Sequence, residues 1–185
     1  MFLILQKVNF ILVNVRSDAE KSINMPELQK IAQMQAQIQT IKNQVQALTD
    51  AGAKRPKVFF EEWDVPHISA IAWVSELLGI AGGDDCFPEL AKEPLGKNRI
   101  IALGQTIIDK NPDIIIGSWC GKKFRPDHVA ARQGWQEVAA VKNQQLFEVK
   151  SSYILQPGPA ALTDGLQQLH SIIEQWMKNQ LETIE

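Results

Sequence analysis

Three short apolar runs, separated by helical patterns, most restrict how this chain can fold. The runs are KVFF at 57–60, DIIIG at 113–117 and QLFEV at 145–149. The DIIIG run is apolar without alternation, which is typical of a strand covered on both faces. Strands that alternate with helices form parallel sheets. The sequence therefore predicts an α/β fold in which helices flank a parallel sheet. The helical patterns cover 68–78, a stretch ending at 107–110, 127–132, 135–140 and 157–176.

A long helix is predicted before the first strand. Pro26 suits the first turn of a helix, where its missing N–H costs nothing. Beyond it, one apolar stripe recurs at spacings of three and four residues. Asp50, Gly52 and Pro56 end the pattern, so about 24 residues give a rod of roughly 36 Å. That length suits a connection between two bodies or a dimer seam. The stripe consists of Ile31, Met34, Ile38, Ile41, Val45 and Leu48.

The first 15 residues are apolar, but Lys7 and Asn9 interrupt them. No basic start precedes the run, and no small-residue cleavage site follows it. The run is also too short to span a bilayer. A buried strand or strand remnant is favoured over a secretory signal. The predicted organisation is a short remnant at 1–25, the connecting helix at 26–56 and an α/β ligand-binding lobe at 57–185.

Composition excludes some classes of partner. The 19 basic and 21 acidic residues give a net charge of -2, and no basic stripe with interleaved aromatics occurs. Nucleic acid is therefore not an expected partner. At this length a domain buries roughly 70% of its unfolded surface and needs no metal or disulfide. Cys86 and Cys120 form no C-x-x-C pair, which leaves a disulfide and the redox compartment open.

Three segments follow the predicted strands: EEWDVPH at 61–67, SWCGK at 118–122 and KSSY at 150–153. In an open parallel sheet, ligands bind beyond the carboxyl ends of the strands. Each segment places an aromatic ring beside hydrogen-bonding groups, a mixture that suits a flat ligand with a polar edge. The predicted ligand-binding residues are Glu62, Trp63, Trp119, Cys120 and Tyr153.

Each aromatic has two interpretations. Trp63 and Trp119 either contact a ligand ring or plug the top of the sheet, and Tyr153 either reaches the cleft or anchors a loop. The other tryptophans lie in helical patterns and are expected in the core. They are Trp73, Trp135 and Trp176.

Enzyme and metal signatures are weak. Glu61 and Glu62 should point to opposite faces of a strand, so they do not form a catalytic pair, and a solvated or ligand-edge carboxylate is expected. The GSWCGKK stretch is an incomplete phosphate loop, and G-x-G-x-x-G and G-x-S-x-G are missing. The histidines stand at no zinc-site spacing. The prediction is a binder without catalytic residues, metal or cofactor. Cys120 beside His67 or His128 remains the enzymatic alternative to an inert thiol.

Five stretches carry a resemblance to a known family. Together they cover roughly 58–176, and EEWD, SWCGK and ILQPGP are the most specific parts. The stretches are VFFEEWDVPHIS (58–69), WVSELLGIAGG (73–83), NPDIIIGSWCGKKFRP (111–126), GWQEVAAVKN (134–143) and SSYILQPGPAALTDGLQQL (151–169).

In this order the stretches resemble the cobalamin-binding branch of the ABC-transporter substrate-binding proteins, the cobalamin and iron-chelate family whose two lobes are joined by a long helix. The resemblance implies one lobe of that helical-backbone fold, with Trp63 and Trp119 facing the cleft. It implies no catalysis and a small-molecule chelate, such as cobalamin or another corrinoid, as ligand. An ABC permease is the implied partner, and a location outside the cytoplasm is typical of the family.

Two departures from the family pattern matter. Relatives carry a complete amino-terminal lobe before the long helix, whereas only about 25 residues precede it here, which predicts a truncated protein with half of the cleft. Relatives also present an acidic residue to the permease, and Gln105 stands where Glu is expected.

Three hypotheses follow. The first is a binding lobe for cobalamin or an iron chelate. The second is a self-associating remnant without ligand, which forms a homodimer through 1–49 because the helix stripe would be left exposed. The third is a cysteine-dependent enzyme.

Overall fold

A computed structural model describes residues 25–182 as a four-stranded parallel sheet between two layers of helices. The strand order is β4-β1-β6-β7, and a separate three-stranded antiparallel sheet has the order β2-β3-β5. The strands are β1 (Lys57–Glu61), β2 (Trp63–Asp64), β3 (His67–Ile68), β4 (Asp84–Asp85), β5 (Ile100–Ile101), β6 (Ile114–Gly117) and β7 (Leu146–Glu148). The helices are α1 (Met25–Asp50), α2 (Ala72–Ala81), α3 (Gly104–Lys110), α4 (Pro126–Ala130), α5 (Ala139–Lys142), α6 (Ser151–Ile154) and α7 (Leu166–Glu182). The predicted α/β class is confirmed.

The two faces of the parallel sheet carry separate cores, because successive side chains of a strand point to opposite faces. Val58 and Phe60 of β1 face one core, which α1, α2 and α7 cover. Phe59 and Ile115 face the other core, which contains Trp119, Phe124 and Trp135. By the same alternation Glu61 continues the Phe59 face, which places its carboxyl among the residues of the second core.

The long helix α1 is anchored over only part of its length. Ile38, Ile41 and Val45 are buried against the lobe, whereas Met25 and Leu28 remain 67% and 37% exposed. The expectation that the whole stripe would be left exposed is therefore wrong for its carboxy-terminal half. There α2 and α7 cover the apolar side chains.

Several elements differ from their predicted bounds. Ile68 was expected to open a helix, but it lies in β3, and α2 begins at Ala72. Single 3₁₀ turns (Leu90–Lys92, Gly96–Arg99 and Trp135–Glu137) and a π-helical turn (Ala161–Gly165) lie between the regular elements. The two-residue strands β2 to β5 are too short to produce a periodic signal.

Of the remaining expectations, Trp135 is buried, and Trp73 and Trp176 pack against the core while partly exposed. The apolar start of the chain lies outside the described residues. Within 25–182, no helix combines the length and the apolar character that a membrane crossing requires.

Candidate functional site at the carboxyl edge of the sheet

The predicted site segments meet at one edge of the sheet. β1 and β6 are hydrogen-bonded parallel neighbours, with Glu61 opposite Gly117, and β7 follows with Glu148 opposite Gly117 on the other side. All three strands therefore end together, and the chain leaves each of them at the same edge. This is the edge at which open parallel sheets bind ligands.

A hairpin positions Trp63. The Glu62 N–H donates to the Ile68 carbonyl at 2.8 Å, and Trp63 pairs with Ile68 across β2 and β3. The Trp63 indole N–H donates to the Val65 carbonyl at 2.9 Å. The hairpin thus holds a half-buried indole beyond the end of β1.

Glu61 is the centre of a buried polar network. Its side chain is inaccessible to solvent, and the Arg132 guanidinium donates to its two oxygens at 2.8 and 3.0 Å. The Trp119 indole N–H donates to Oε2 at 3.1 Å, and His67 Nδ1 lies 2.9 Å from Oε1. The solvated or ligand-edge role expected for this carboxylate is therefore wrong, because the network already uses it. Its effect is to hold the Trp119 indole by a charge-assisted hydrogen bond.

Glu62 points the other way, as expected for a neighbour on a strand. Its carboxylate accepts hydrogen bonds from Arg99 at 2.6 and 3.3 Å. Arg99 is 2% exposed and also donates to the Ser69 carbonyl. Glu62 itself is 23% exposed, so part of its side chain reaches the surface. Its role as a ligand contact stays a prediction.

The two predicted ring contacts converge on one ammonium group. Lys122 Nζ lies 4.7 Å from the centre of the Trp63 ring and 5.0 Å from that of Trp119, so the ring centres are less than about 10 Å apart. Trp119 is only 4% exposed and makes an edge contact with Phe124 at 5.0 Å. The indoles are neighbours, but Trp119 is much more enclosed than a free stacking platform. The geometry therefore fits each interpretation in part. Trp63 is accessible enough to contact a ligand, whereas Trp119 mainly fills the top of the sheet.

The Lys122 ammonium also pairs with Asp64 at 2.6 Å. Partial burial pushes the pKa of Asp64 upward, but the hydrogen bond and charge of Lys122 outweigh it, and the pKa is lowered overall. The carboxyl is therefore ionised at neutral pH. It holds the Lys122 ammonium beside the two rings.

A cavity of about 700 Å³ opens at this edge. Its volume is within the range of small-ligand sites. Three of its side chains are cationic (Lys122, Lys123 and Lys150), and one is acidic (Glu148). The other lining residues are Trp119, Gly121, Ser151 and Ser152.

Phe124 packs between Trp119 and the end of β6. A Cβ built on Gly117 would lie 1.8 Å from Phe124 Cδ2, so glycine at the end of β6 is what lets the Phe124 ring lie against the strand. The Phe124 backbone N–H donates to Glu148 Oε1 at 3.1 Å, which links the end of β7 to the same segment.

Of the five predicted ligand-binding residues, Trp119 lines the cavity and Trp63 lies across Lys122 from it. Cys120 is exposed in the intervening turn, and Tyr153, in α6, is 36% exposed. Neither lines the cavity. The structure therefore brings the two indoles together, whereas Glu62, Cys120 and Tyr153 do not line the cavity.

Arg99, Arg132 and Glu148 were not predicted. The burial of the Glu61 carboxylate could have been predicted, since strand alternation from Phe59 places Glu61 on the face of the sheet that packs against Trp135. The arginines are distant in sequence and gave no such signal. Each lies 37 or 71 residues from the carboxylate that it binds.

The enzymatic alternative finds little support. Cys86 and Cys120 are both free thiols, and burial raises the pKa of Cys86 to about 12. His67 is engaged by Glu61, and His128 is exposed beside Asp127. Over the described part of the chain, no three His, Cys, Asp or Glu side chains are grouped as a metal site.

The fold and this edge define the class of protein. A family model described as "Periplasmic binding protein" matches residues 27–153, which is more than half of the chain. The chain belongs to that family, and the family assignment made from its motifs is confirmed.

Solved structures agree in fold. The periplasmic vitamin B12-binding protein BtuF of Vibrio cholerae superposes with a TM-score of 0.59 at 22% identity over 90% of this chain and 61% of its own. A periplasmic binding protein from Veillonella parvula gives 0.60 at 23% identity over 79% and 49%. Helicobacter pylori CeuE with Ni(II) bound gives 0.62 at 19% identity over 92% and 51%.

The chain spans about half to three fifths of the length of these structures. At these identities the likeness concerns the fold. No curated protein sequence matches the chain significantly.

Proposed function

We propose that this chain is the carboxy-terminal lobe of a substrate-binding protein for an ABC transporter, and that it binds a corrinoid or an iron chelate without catalysing a reaction. The observation that carries the proposal is the convergence of Trp63 and Trp119 on Lys122, at the edge where β1 and β6 end. Ring faces beside polar groups suit a flat ligand with a hydrogen-bonding edge. Periplasmic proteins of this fold include ones described as binding vitamin B12 and haem.

The first test is titration of the protein with cyanocobalamin, followed by calorimetry and by tryptophan fluorescence. A single lobe covers one face of the ligand, so we expect a dissociation constant on the order of 100 µM. A ferric hydroxamate chelate serves as the second ligand. Fluorescence is corrected for ligand absorption with free N-acetyltryptophanamide.

Trp63→Ala should weaken binding about tenfold, since it removes the more accessible of the two rings. Trp119→Phe keeps a ring at the second position and loses the hydrogen bond to Glu61, so a smaller loss is expected. Trp176→Phe is the matched control, because Trp176 lies on α7 and packs against the opposite core. Absence of heat and of corrected quenching with both ligands, up to high micromolar concentration, would contradict the proposal.

Self-association is the second candidate, and the structure favours a narrower version of it. The amino-terminal half of α1 keeps Met25 and Leu28 exposed beside an apolar cleft of about 220 Å³ that Ile31, Met34 and Leu162 line. Apolar surface of this kind is typical of contact sites. Light scattering at micromolar concentration tests the homodimer, and a monomeric mass would contradict it.

A further inference from the structure

We infer that Lys122 selects ring ligands that carry a carboxylate at the edge, and that the Lys122 ammonium leaves Asp64 to receive that carboxylate. The inference rests on the proposed function, because it concerns the same edge of the sheet. It adds the chemical class of the group at the ligand edge, a carboxylate, and names Lys122 as the residue that recognises this group.

The position of Lys122 is the first step. Its Nζ lies over both rings, within 5.0 Å of their centres, so a guest placed against the two indoles meets this ammonium directly. The Lys122 side chain is 42% exposed. An ammonium that stays close to solvent on a flexible stem can be redirected at low cost.

The charge of the cavity is the second step. Lys122, Lys123 and Lys150 line it, against the single carboxylate of Glu148. One oxygen of Glu148 already accepts the Phe124 N–H. Even with Lys122 paired to Asp64, the lining has an excess of positive charge, which attracts anions and opposes cationic ligands.

Competition with Asp64 is the third step. The pair is held at 2.6 Å and Asp64 is 19% exposed, so a ligand carboxylate must share or replace this contact. A neutral amide at the same place gains no charge interaction and leaves the Lys122–Asp64 pair closed. Only an anionic edge can compete with Asp64 for the ammonium, so Lys122 favours anionic over neutral ligands of the same shape, while Asp64 limits the size of that preference.

The experiment compares two corrins that share a ring and differ at the edge. Dicyanocobyrinic acid carries carboxylates where dicyanocobinamide carries amides. Calorimetry of the full chain should give about fivefold to tenfold tighter binding of the acid, the size expected for a partly exposed ion pair with supporting charges. The preference should shrink as salt is added, because exposed charges are screened.

Two variants test the charge of Lys122 and its competition with Asp64. Lys122→Met keeps a long stem beside the indoles and removes the ammonium, so the preference for the acid should fall to about twofold. Asp64→Asn removes the competing carboxylate and should widen the preference. Lys142→Met is the matched control: it removes the same charge from α5, which precedes β7 at the opposite edge of the sheet, and should leave the ratio unchanged.

The outcomes are distinguishable. Equal affinity of the wild-type protein for both corrins overturns the inference and leaves the proposed function standing. A preference that is as large in Lys122→Met as in the wild-type protein overturns the role of Lys122. No binding of either corrin, or of the other ligands above, overturns the proposed function and the inference with it.

Discussion

Arg132→Met should strongly destabilise the protein, because it removes the main partner of the buried Glu61 carboxylate. Arg132 makes two hydrogen bonds to Glu61, at 2.8 and 3.0 Å, and its own side chain is 17% exposed. After the substitution, Trp119 and His67 would be the remaining hydrogen-bond partners of the carboxylate. The Arg132 guanidinium also lies 4.6 Å from the centre of the Trp135 ring, and that contact is lost as well.

The size of the effect follows from the burial of the pair. Removing one partner of a buried ion pair costs about 3–5 kcal/mol. The partial exposure of Arg132 places the expected cost near the lower limit, about 3 kcal/mol including the ring contact. With a urea m-value of about 2 kcal/mol/M for a domain of this size, the midpoint of unfolding should fall by about 1.5 M.

Urea unfolding followed by tryptophan fluorescence measures this shift. Adding Glu61→Gln to Arg132→Met should restore at least half of the loss, because the amide leaves no uncompensated charge. Lys142→Met, which breaks the exposed pair with Glu137, should cost less than about 1 kcal/mol. A midpoint shift below about 0.5 M for Arg132→Met, or no recovery in the double variant, would refute the reasoning.

Two further predictions concern thiol reactivity and the contact of Phe124 with Gly117. Because burial raises the pKa of Cys86 to about 12, its thiolate fraction at pH 8 is negligible, and iodoacetamide should label the exposed Cys120 first; mass spectrometry of the singly labelled protein checks this, and early Cys86 labelling in the folded protein would contradict it. Gly117→Ala forces Phe124 out of its position, since the added Cβ would lie 1.8 Å from its ring, and should cost about 1–3 kcal/mol in urea unfolding. Adding Phe124→Leu should recover part of that loss, and additive losses would contradict the contact.

Much of the architecture could be predicted because it depends on local pattern. The DIIIG run is buried on both faces in β6, and the three- and four-residue spacing of α1 buries Ile38, Ile41 and Val45. Both signals arise from the periods of strands and helices, which the sequence carries directly.

The interior of the site could not be predicted in the same way. Nothing near Glu61 indicates that Arg132, 71 residues later, would make it a buried anion. The hairpin that carries Trp63 depends on two-residue strands paired with Ile100–Ile101, a contact set by tertiary structure rather than by local preference. Placement of the indoles beside each other was predictable from topology, whereas the enclosure of Trp119 depended on Phe124 and on the Glu61 network.

Because α1 is buried against the lobe only from Ile38 onward, a small tilt of the buried part displaces its amino-terminal end. Ile38 is the first buried residue of the helix, and Met25 lies 13 residues, roughly 20 Å, ahead of it. Over this stretch only half-buried side chains such as Ile31 and Met34 contact the lobe, beside Leu162. A tilt of only about 10° at the anchored segment would sweep the tip through about 3 Å. Small rearrangements where α1 meets α2 and α7 therefore become larger displacements at the Met25 end of the helix.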